Sequence, residues 1–353
     1  MNIQTILEFV VALASLIVLH ELGHFLAAKL LKIEVEEFGL GIPPRAVTLF
    51  TAGGTKFSLN WLPFGGFCRL KGETDPGVPG GFMTASPWKR IAVLVAGPLM
   101  NLLAAVLMYA VIISMIGMPQ VDQVEVKDVA SGSPADLAGL QTGDIILKLD
   151  ETLINSTDKL AQAVAENLGV EVSLLYQRGA EEETVRLVPR VDPPEGQGAM
   201  GIVMGNPVEP VSLLSTLPAG VVATYEHGKA LFGFVGQMIS GQANTEDARL
   251  VGFKGMYDIY NQTRESEPVE GIPNAVNALL FFTSITISLG LLNLLPVPAL
   301  DGGRILFTLP EIVLRRRIPP EYENWINLVG FALLLLLLVY INLQDFINPI
   351  STP

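Results

Sequence analysis

The chain has 353 residues, of which 50% are hydrophobic, and its mean hydropathy is +0.46. This composition excludes an ordinary soluble domain and is typical of a membrane protein that carries a soluble part. The formal net charge of -13 argues against a nucleic-acid partner, and the single cysteine, Cys68, excludes an intrachain disulfide. The first apolar stretch lacks a basic start and a small-residue cleavage site, so we expect no cleavable signal peptide.

Segments long and apolar enough to cross a membrane, which takes about 20 residues, recur along the chain. The predicted spans are Ile3–Leu31, Ile91–Met118, Pro273–Leu295 and Trp325–Leu343. A further candidate, 211–239, is interrupted by Pro218 and carries charged side chains in its middle. We expect that segment to be an amphipathic helix on the membrane surface.

Clusters of Lys and Arg predict the orientation of the chain in the membrane. Such clusters lie in the loops 32–90 and 296–324, which we therefore expect on the cytoplasmic side. The segment 119–272 is rich in Asp and Glu and is expected outside, together with both chain termini. We expect the lipid bilayer as the surroundings of the predicted spans.

The first predicted span contains an H-E-x-x-H pattern formed by His20, Glu21 and His24. Residues four apart share one face of a helix, so both imidazoles can bind one zinc ion. Glu21 then lies beside the metal as a general base for a water whose pKa zinc lowers to about 7. Without a metal, such side chains inside a membrane helix would cost several kcal/mol, which argues against a chance match.

The loop after the first span, from Glu36 to Leu70, has a β pattern. Two strand-like stretches flank Gly53-Gly54, which predicts a hairpin at the membrane edge near the zinc. Its exposed edge could bind an unwound substrate as an additional strand, or the hairpin could merely cover the site. Cys68 lies in this loop and is expected to be an ordinary reduced thiol.

The segment from residue 121 to about 206 shows the pattern of a PDZ domain. Val129–Asp150 predicts a short helix, a Gly-Asp turn and a strand, and Lys159–Asn167 predicts a second helix. Ala199–Met204 fits the ligand-binding strand of a circularly permuted PDZ domain. Such a groove could bind a peptide C-terminus, or the domain could act only as a bulky gate.

The third metal ligand has to come from another part of the chain, because a catalytic zinc usually takes three protein ligands. His227 is the remaining histidine, and we expect it to be a solvated side chain of the surface helix. Asp301 follows the third span, within a stretch in which prolines and Gly302-Gly303 predict irregular backbone. The first and third spans run in the same direction, so their ends can meet, and Asp301 is the better candidate.

Three stretches together resemble the motif regions of the site-2 proteases, a family of intramembrane zinc metalloproteases. They are H-E-L-G-H at 20–24, Gly97–Asn101, and NLLPVPALDGG from Asn293 to Gly303. The likeness covers nearly the whole chain and is greatest to bacterial members with a single PDZ domain between the second and third spans. It implies a fold of four transmembrane helices, mainly α-helical, with a membrane-edge hairpin and an inserted α+β PDZ domain.

The resemblance implies one zinc ion per chain, with His20, His24 and Asp301 as ligands and Glu21 as general base. It implies that Asn293 lies near the scissile peptide or the oxyanion, and Asn101 and Pro298 are further candidates for contact with the substrate. For Asn101, packing between helices is an equally good explanation. The implied domains are 1–118, with the first two spans and the hairpin; 119–206, the PDZ domain; 207–272, a membrane-surface segment; and 273–353, the last two spans.

The function that these features predict is cleavage of transmembrane segments of single-pass membrane proteins, such as anti-sigma factors or remnant signal peptides. A soluble-type protease tethered to the membrane does not fit, because H-E-x-x-H lies inside the span. A membrane scaffold with a structural zinc is the non-enzymatic alternative. Structural zinc sites usually have four protein ligands, whereas only three candidates are found here.

Overall fold

The computed structural model describes residues 3–75, 77–242, 249–265 and 273–349. The helices in this part of the chain are α1 (Ile3–Leu30), α2 (Pro87–Ile116), α3 (Pro134–Leu137), α4 (Thr157–Glu166), α5 (Leu217–Ile239), α6 (Phe253–Glu265), α7 (Asn274–Asn293), α8 (Asp301–Leu314) and α9 (Pro320–Ile347). The strands are β1 (Val35–Ala52), β2 (Thr55–Leu70), β3 (Met118–Pro119), β4 (Val124–Val129), β5 (Ile145–Leu149), β6 (Thr152–Leu153), β7 (Val172–Arg178), β8 (Glu181–Leu187), β9 (Ile202–Gly205) and β10 (Val208–Glu209).

The chain forms two compact units, one made of Met1–Met115 and Leu213–Pro353 and the other of Ile116–Ser212. Parts of the predicted surface segment, residues 243–248 and 266–272, lie outside the described residues. Four helices of the described chain are long and apolar enough to cross a membrane: α1, α2, α7 from Ala275 onward, and α9. They correspond to the four predicted spans.

Helix α6 links the ends of α1, α7 and α9. Phe9 of α1 stacks near Tyr257 and Tyr260 of α6, with ring centroids 5.9 and 5.8 Å apart. The buried carboxylate of Asp345 in α9 accepts hydrogen bonds from the backbone N–H groups of Gly252 and Gly255, at 2.8 and 2.9 Å. A negative charge is stabilised at a helix N-terminus, so α9 anchors the start of α6.

Helix α5 packs against α2 and α7, and it is not among the helices of the described chain that are long and apolar enough to cross a membrane. The location of 211–239 on the membrane surface stays a prediction. A Cβ atom on Gly220 would lie 2.5 Å from the carbonyl oxygen of Val106, so α5 meets α2 backbone to backbone. Farther along, a Cβ on Gly228 would lie 3.1 Å from the Leu291 side chain, near the C-terminal end of α7. Small residues permit such close packing between helices. The polar side chains in the segment give no indication of this packing in the sequence.

The predicted hairpin is part of a larger β arrangement. Ala52 pairs with Thr55 around the Gly53-Gly54 turn, and Glu37 pairs with both Lys56 and Arg69. Each long strand therefore contributes two segments, and the four segments lie in the order 47–52, 55–59, 37–40 and 66–70. A single hairpin is only marginally stable, and the additional strand pairing stabilises this element.

The unit Ile116–Ser212 is an α+β structure with its own apolar core. Its sheet has the order β8-β7-β5-β4-β9, with β6 beside β5, and β9 is an edge strand. Asp144, in the predicted Gly-Asp turn, is 1% exposed and accepts two hydrogen bonds from Arg178, each at 2.7 Å. Such a bidentate pair satisfies a carboxylate that would otherwise be costly to bury.

Candidate metal centre

Helix α1 places both histidines of the H-E-x-x-H pattern on one buried face. His20 and His24 are each 8% exposed, and their Nε2 atoms are 3.2 Å apart. The i, i+4 spacing of a continuous helix produces this proximity without help from the rest of the fold. Two ring nitrogens therefore point toward one location inside the bundle.

Two glycines allow α1 and α2 to approach closely at this level. A Cβ on Gly23 would lie 2.2 Å from the carbonyl oxygen of Ala96 in α2. A Cβ on Gly97 would lie 2.3 Å from His24 Nε2 and 2.9 Å from His20 Nε2. The absence of a side chain at position 97 thus creates the space in which the two imidazoles lie.

Asp301 brings a carboxylate to the same location from the other end of the sequence. It is the first residue of α8, and its Oδ2 lies 3.1 Å from His20 Nε2 and 3.4 Å from His24 Nε2. The candidate ligand atoms of these three residues all lie within 4.8 Å of one another. Among the described residues, this is the group of histidine and acidic side chains that could hold a metal ion.

The backbone at Gly302 and Gly303 is helical, and the prediction of irregular backbone at these two residues is wrong. Both belong to the first turn of α8. A Cβ on Gly302 would lie 2.2 Å from the carbonyl oxygen of Leu295, and one on Gly303 would lie 2.2 Å from that of Val297. These glycines therefore permit close contact between α8 and the loop before it, rather than breaking the helix.

Hydrogen bonds to the remaining ring nitrogens orient both imidazoles. His24 Nδ1 lies 2.8 Å from the carbonyl oxygen of Val93, so it carries the proton and leaves Nε2 free to bind a metal. His20 Nδ1 lies 3.3 Å from Asn101 Nδ2, and Asn101 is fully buried with no hydrogen-bond partner for its Oδ1. The amide oxygen and nitrogen are interchangeable in such an assignment, and with Oδ1 toward His20 the amide accepts the Nδ1 proton.

The donor set fits a zinc ion. Two imidazole Nε2 atoms and one carboxylate oxygen are a ligand combination of catalytic zinc sites, and a carbonyl or amide behind each ring is the usual second contact. The partnerless Asn101 Oδ1 is also explained if His20 Nδ1 donates to it. His227 is not part of this group, since its Nδ1 lies 2.7 Å from the Tyr109 hydroxyl instead.

A cavity of about 590 Å³ adjoins the three ligand candidates. Glu21, Asn101 and Asn293 line it, so the structure brings them together with the metal centre. Pro298 is not among the lining residues and instead contacts Gly330 of α9, where a Cβ would lie 2.5 Å from the Pro298 Cβ. Contact between Pro298 and a substrate stays a prediction.

One edge of the four-segment sheet runs along this cavity. The consecutive residues Gly66–Leu70 of β2 line it. A Cβ on Gly66 would lie 3.6 Å from Glu21 Cγ, so the strand passes directly beside Glu21. Cys68 is a free thiol in this strand, and burial raises its pKa, which favours the neutral form.

Two charged residues at this cavity were not predicted from the sequence. Arg304 donates to Glu73 at 2.7 Å, and both line the cavity. Arg304 follows Asp301 by one helical turn, and this spacing could have predicted that both lie on the same face of α8. Glu73 lies in a loop and its position depends on the tertiary structure, as does the contribution of the Val93 carbonyl.

Comparisons with known proteins identify the family of the chain. The profile of Peptidase family M50 matches residues 8–337. A protein of Clostridium perfringens is 34% identical over 341 residues, which cover 96% of this chain and 97% of the relative. Zinc metalloprotease RasP of Oceanobacillus iheyensis is 26% identical over an alignment of 431 positions including gaps, which covers 97% of this chain and 98% of the relative.

A solved structure, the PDZ domain of an SdrC-like protein from Listeria monocytogenes, matches 24% of this chain and 87% of its own chain. The sequence identity is 24% and the TM-score is 0.21, so the PDZ assignment stays a prediction. The family match spans both halves of the metal centre, from before His20 to beyond Asp301. The chain therefore belongs to Peptidase family M50, the site-2 protease type, and is a metalloprotease.

Proposed function

We propose that this metalloprotease binds one zinc ion per chain and cleaves transmembrane segments of single-pass membrane proteins. The observation that carries the proposal is that Asp301 meets His20 and His24, which lie on an apolar, membrane-length helix. A peptidase with metal ligands in such a helix can act only on peptide bonds that lie at the same depth in the membrane. Bound zinc would supply a Lewis acid and make water a nucleophile near neutral pH.

Glu21 has the position of a general base. It lies between the two histidines in sequence and lines the cavity beside them. Its carboxylate can take a proton from the attacking water and deliver it to the nitrogen of the leaving peptide. Because Glu21 is not one of the three converging ligand candidates, its charge remains available for this transfer.

The strand Gly66–Leu70 is the candidate surface for holding the substrate. A transmembrane helix has to unwind before a peptide bond can be attacked, and its freed N–H and C=O groups then need partners. An edge strand supplies such partners by pairing with the extended substrate. This strand passes beside Glu21, so a paired substrate would present its backbone to the catalytic residues.

Two asparagines lining the cavity have separate proposed roles. Asn293, at the C-terminal end of α7, is positioned to donate to a carbonyl oxygen of the substrate or to the oxyanion. Asn101 acts through His20, because its amide lies 3.3 Å from His20 Nδ1 and fixes the ring. This contact favours a role in orienting a ligand over a role in binding the substrate.

The proposed cellular setting follows from the sequence. The family and its bacterial relatives support a location in the bacterial inner membrane. The clusters of Lys and Arg support an active site near the cytoplasmic side, with both termini and the PDZ-like unit outside. Membrane-anchored regulators such as anti-sigma factors, or remnant signal peptides, are the proposed substrates.

Substitution of Glu21 by Gln separates the catalytic proposal from a scaffold with structural zinc. We expect Glu21→Gln to retain zinc and to lose cleavage of a transmembrane substrate in detergent or vesicles, by at least about 100-fold. Glu8→Gln is the matched control, since Glu8 is the other carboxylate of α1 and pairs with Arg264. Cleavage by Glu21→Gln at the control rate would contradict the assignment.

Metal analysis of Asp301→Ala tests the ligand set. We expect its zinc content to fall as far as that of His24→Ala, because each variant removes one of three ligands. Normal zinc content in purified, folded Asp301→Ala would show that another residue completes the site.

A further inference from the structure

The loop between α7 and α8 has one backbone N–H group that is satisfied by a different helix. Within the loop, the Val297 N–H donates to the Leu295 carbonyl at 2.7 Å, and the Leu300 N–H donates to the Val297 carbonyl at 3.2 Å. The Ala299 N–H instead donates to Asn327 Oδ1 of α9, at 3.0 Å. Asn327 therefore contacts the backbone two residues before Asp301.

Ala299 has a conformation that alanine rarely adopts. Its φ angle is +75°, in the left-handed region that favours glycine. A non-glycine residue stays in this region only where its surroundings hold it there. The hydrogen bond that Ala299 donates to Asn327 Oδ1 is a direct restraint on this residue.

A second contact from the same face of α9 supports the loop. Gly330 lies one helical turn after Asn327, and a Cβ there would be 2.5 Å from the Pro298 Cβ and 3.0 Å from its carbonyl oxygen. Gly330 is buried although most of α9 is exposed. Helix α9 thus contacts Pro298 through its backbone at Gly330 and contacts Ala299 through the side chain of Asn327.

We propose that Asn327 is a positioning residue for Asp301. By holding Ala299 in the left-handed conformation, it fixes the entry of the chain into α8 and hence the distance from the Asp301 carboxylate to His20 and His24. This inference rests on the proposed zinc site. Asn327 itself does not line the catalytic cavity, so it acts only through the loop.

The zinc affinity of the purified full-length protein tests the proposal. We expect Asn327→Ala to raise the Kd for zinc, measured by competition with a chromogenic chelator, about tenfold or more, as for other residues that orient a ligand. With zinc in excess, kcat should fall while KM changes little, because the substrate cavity is untouched. Asn327→Asp, which keeps an acceptor oxygen, should retain most of the affinity.

Asn342→Ala is the matched control. Asn342 lies on the same helix and its Oδ1 also accepts a backbone N–H, that of Phe253 at 3.0 Å, but far from the metal centre. We expect its zinc affinity to equal that of the parent. Equal weakening in both variants would overturn the proposal, because it would mark a general loss of helix packing.

Ala299→Gly provides a rescue. Glycine adopts the left-handed conformation without strain. The double variant Ala299→Gly with Asn327→Ala should therefore bind zinc at least about threefold more tightly than Asn327→Ala alone. The double variant also serves as the test protein if Asn327→Ala fails to fold. Parent-like zinc affinity in Asn327→Ala, or no recovery in the double variant, would overturn the proposal. These outcomes differ from failure of the proposed function, in which Asp301→Ala itself retains zinc.

Discussion

A side chain at position 97 would occupy the space that the two imidazoles now fill. The Cβ position on Gly97 is 2.3 Å from His24 Nε2, which no real Cβ contact reaches. His24 cannot retreat easily, because its other ring nitrogen is held by the Val93 carbonyl at 2.8 Å. The glycine is therefore a requirement of the metal centre rather than of the helix.

Gly97→Ala is accordingly expected to weaken zinc binding about tenfold or more. The helix itself should not suffer, because alanine is favoured over glycine in a helix by about 1 kcal/mol. Zinc competition and thermal unfolding, measured on the same purified sample, separate the two effects.

Gly233→Ala in α5 is the control for this substitution, since nothing lies within 4 Å of a Cβ built there. We expect it to bind zinc as the parent does. If Gly97→Ala also binds zinc normally, the imidazoles have more freedom to move than their contacts indicate.

One buried carboxylate, that of Glu37, links neighbouring parts of the four-segment sheet by hydrogen bonds. Glu37 is 3% exposed and accepts hydrogen bonds from Arg45 Nε at 2.8 Å, Ser58 Oγ at 2.7 Å and Arg69 Nη1 at 3.3 Å. Ser58 and Arg69 belong to the two segments that flank Glu37, and Arg45 lies just before the segment 47–52. The hydrogen bond from Arg45, ahead of the others, holds the pKa of Glu37 below its ordinary range.

A lowered carboxyl pKa gives the stabilisation a definite pH dependence. The contribution of Glu37 is fully present above its unfolded-state pKa and is lost as the pH falls through the lowered native value. We expect Glu37→Gln to destabilise the sheet by about 1–3 kcal/mol at pH 7 and to remove this dependence on acid. Hydrogen exchange of residues 35–70, followed from neutral to acidic pH, measures both.

The neighbouring Glu36 is exposed, and Glu36→Gln serves as the control. Because the segment 66–70 lines the cavity, Glu37→Gln should also lower cleavage while leaving the zinc content unchanged. If hydrogen exchange in Glu37→Gln equals that of the parent, strand pairing alone stabilises the sheet.

At the scale of the whole molecule, the unit Ile116–Ser212 begins and ends at adjacent positions. Strand β3 pairs with β10, and the Gln120 N–H donates to the Pro207 carbonyl at 2.9 Å. A short linker can therefore replace residues 121–206 without separating the flanking chain. The unit also has its own apolar core, whose buried residues lie between Val124 and Met200.

We predict that the variant lacking residues 121–206 binds zinc as the intact chain does. If this unit acts as a size filter, the variant should also cleave substrates whose outer domains have not been trimmed. Paired cleavage assays with trimmed and untrimmed forms measure the change. Full retention of discrimination between the two forms would contradict the filter.

The alternative is that the groove beside β9 recruits a newly exposed peptide C-terminus. This groove, of about 300 Å³, lies between α4 and β9. Gly201 is a poor place to test it, because a Cβ there would lie 2.2 Å from the Ser133 Cβ. Ala165→Trp instead fills the groove from an exposed position, and under this alternative it should slow cleavage of trimmed substrates only.

The sequence by itself determined the features that depend on local geometry. The i, i+4 spacing of His20 and His24 places both rings on one face of any helix, and membrane spans follow from runs of apolar residues. Asp301 could be selected because few carboxylates lie at the end of a span. The family assignment rests on these same stretches.

Only the tertiary structure decided which residues hold these groups in place. The hydrogen bond from His24 to the Val93 carbonyl, the fit of both imidazoles against Gly97 and the hydrogen bond from Ala299 to Asn327 all join residues far apart in sequence. The second pairing of the strands and the close approach of α5 to α2 are likewise long-range backbone contacts. A residue pattern reports the periodicity of its own element, whereas these contacts depend on how separate elements pack, and no local pattern encodes that.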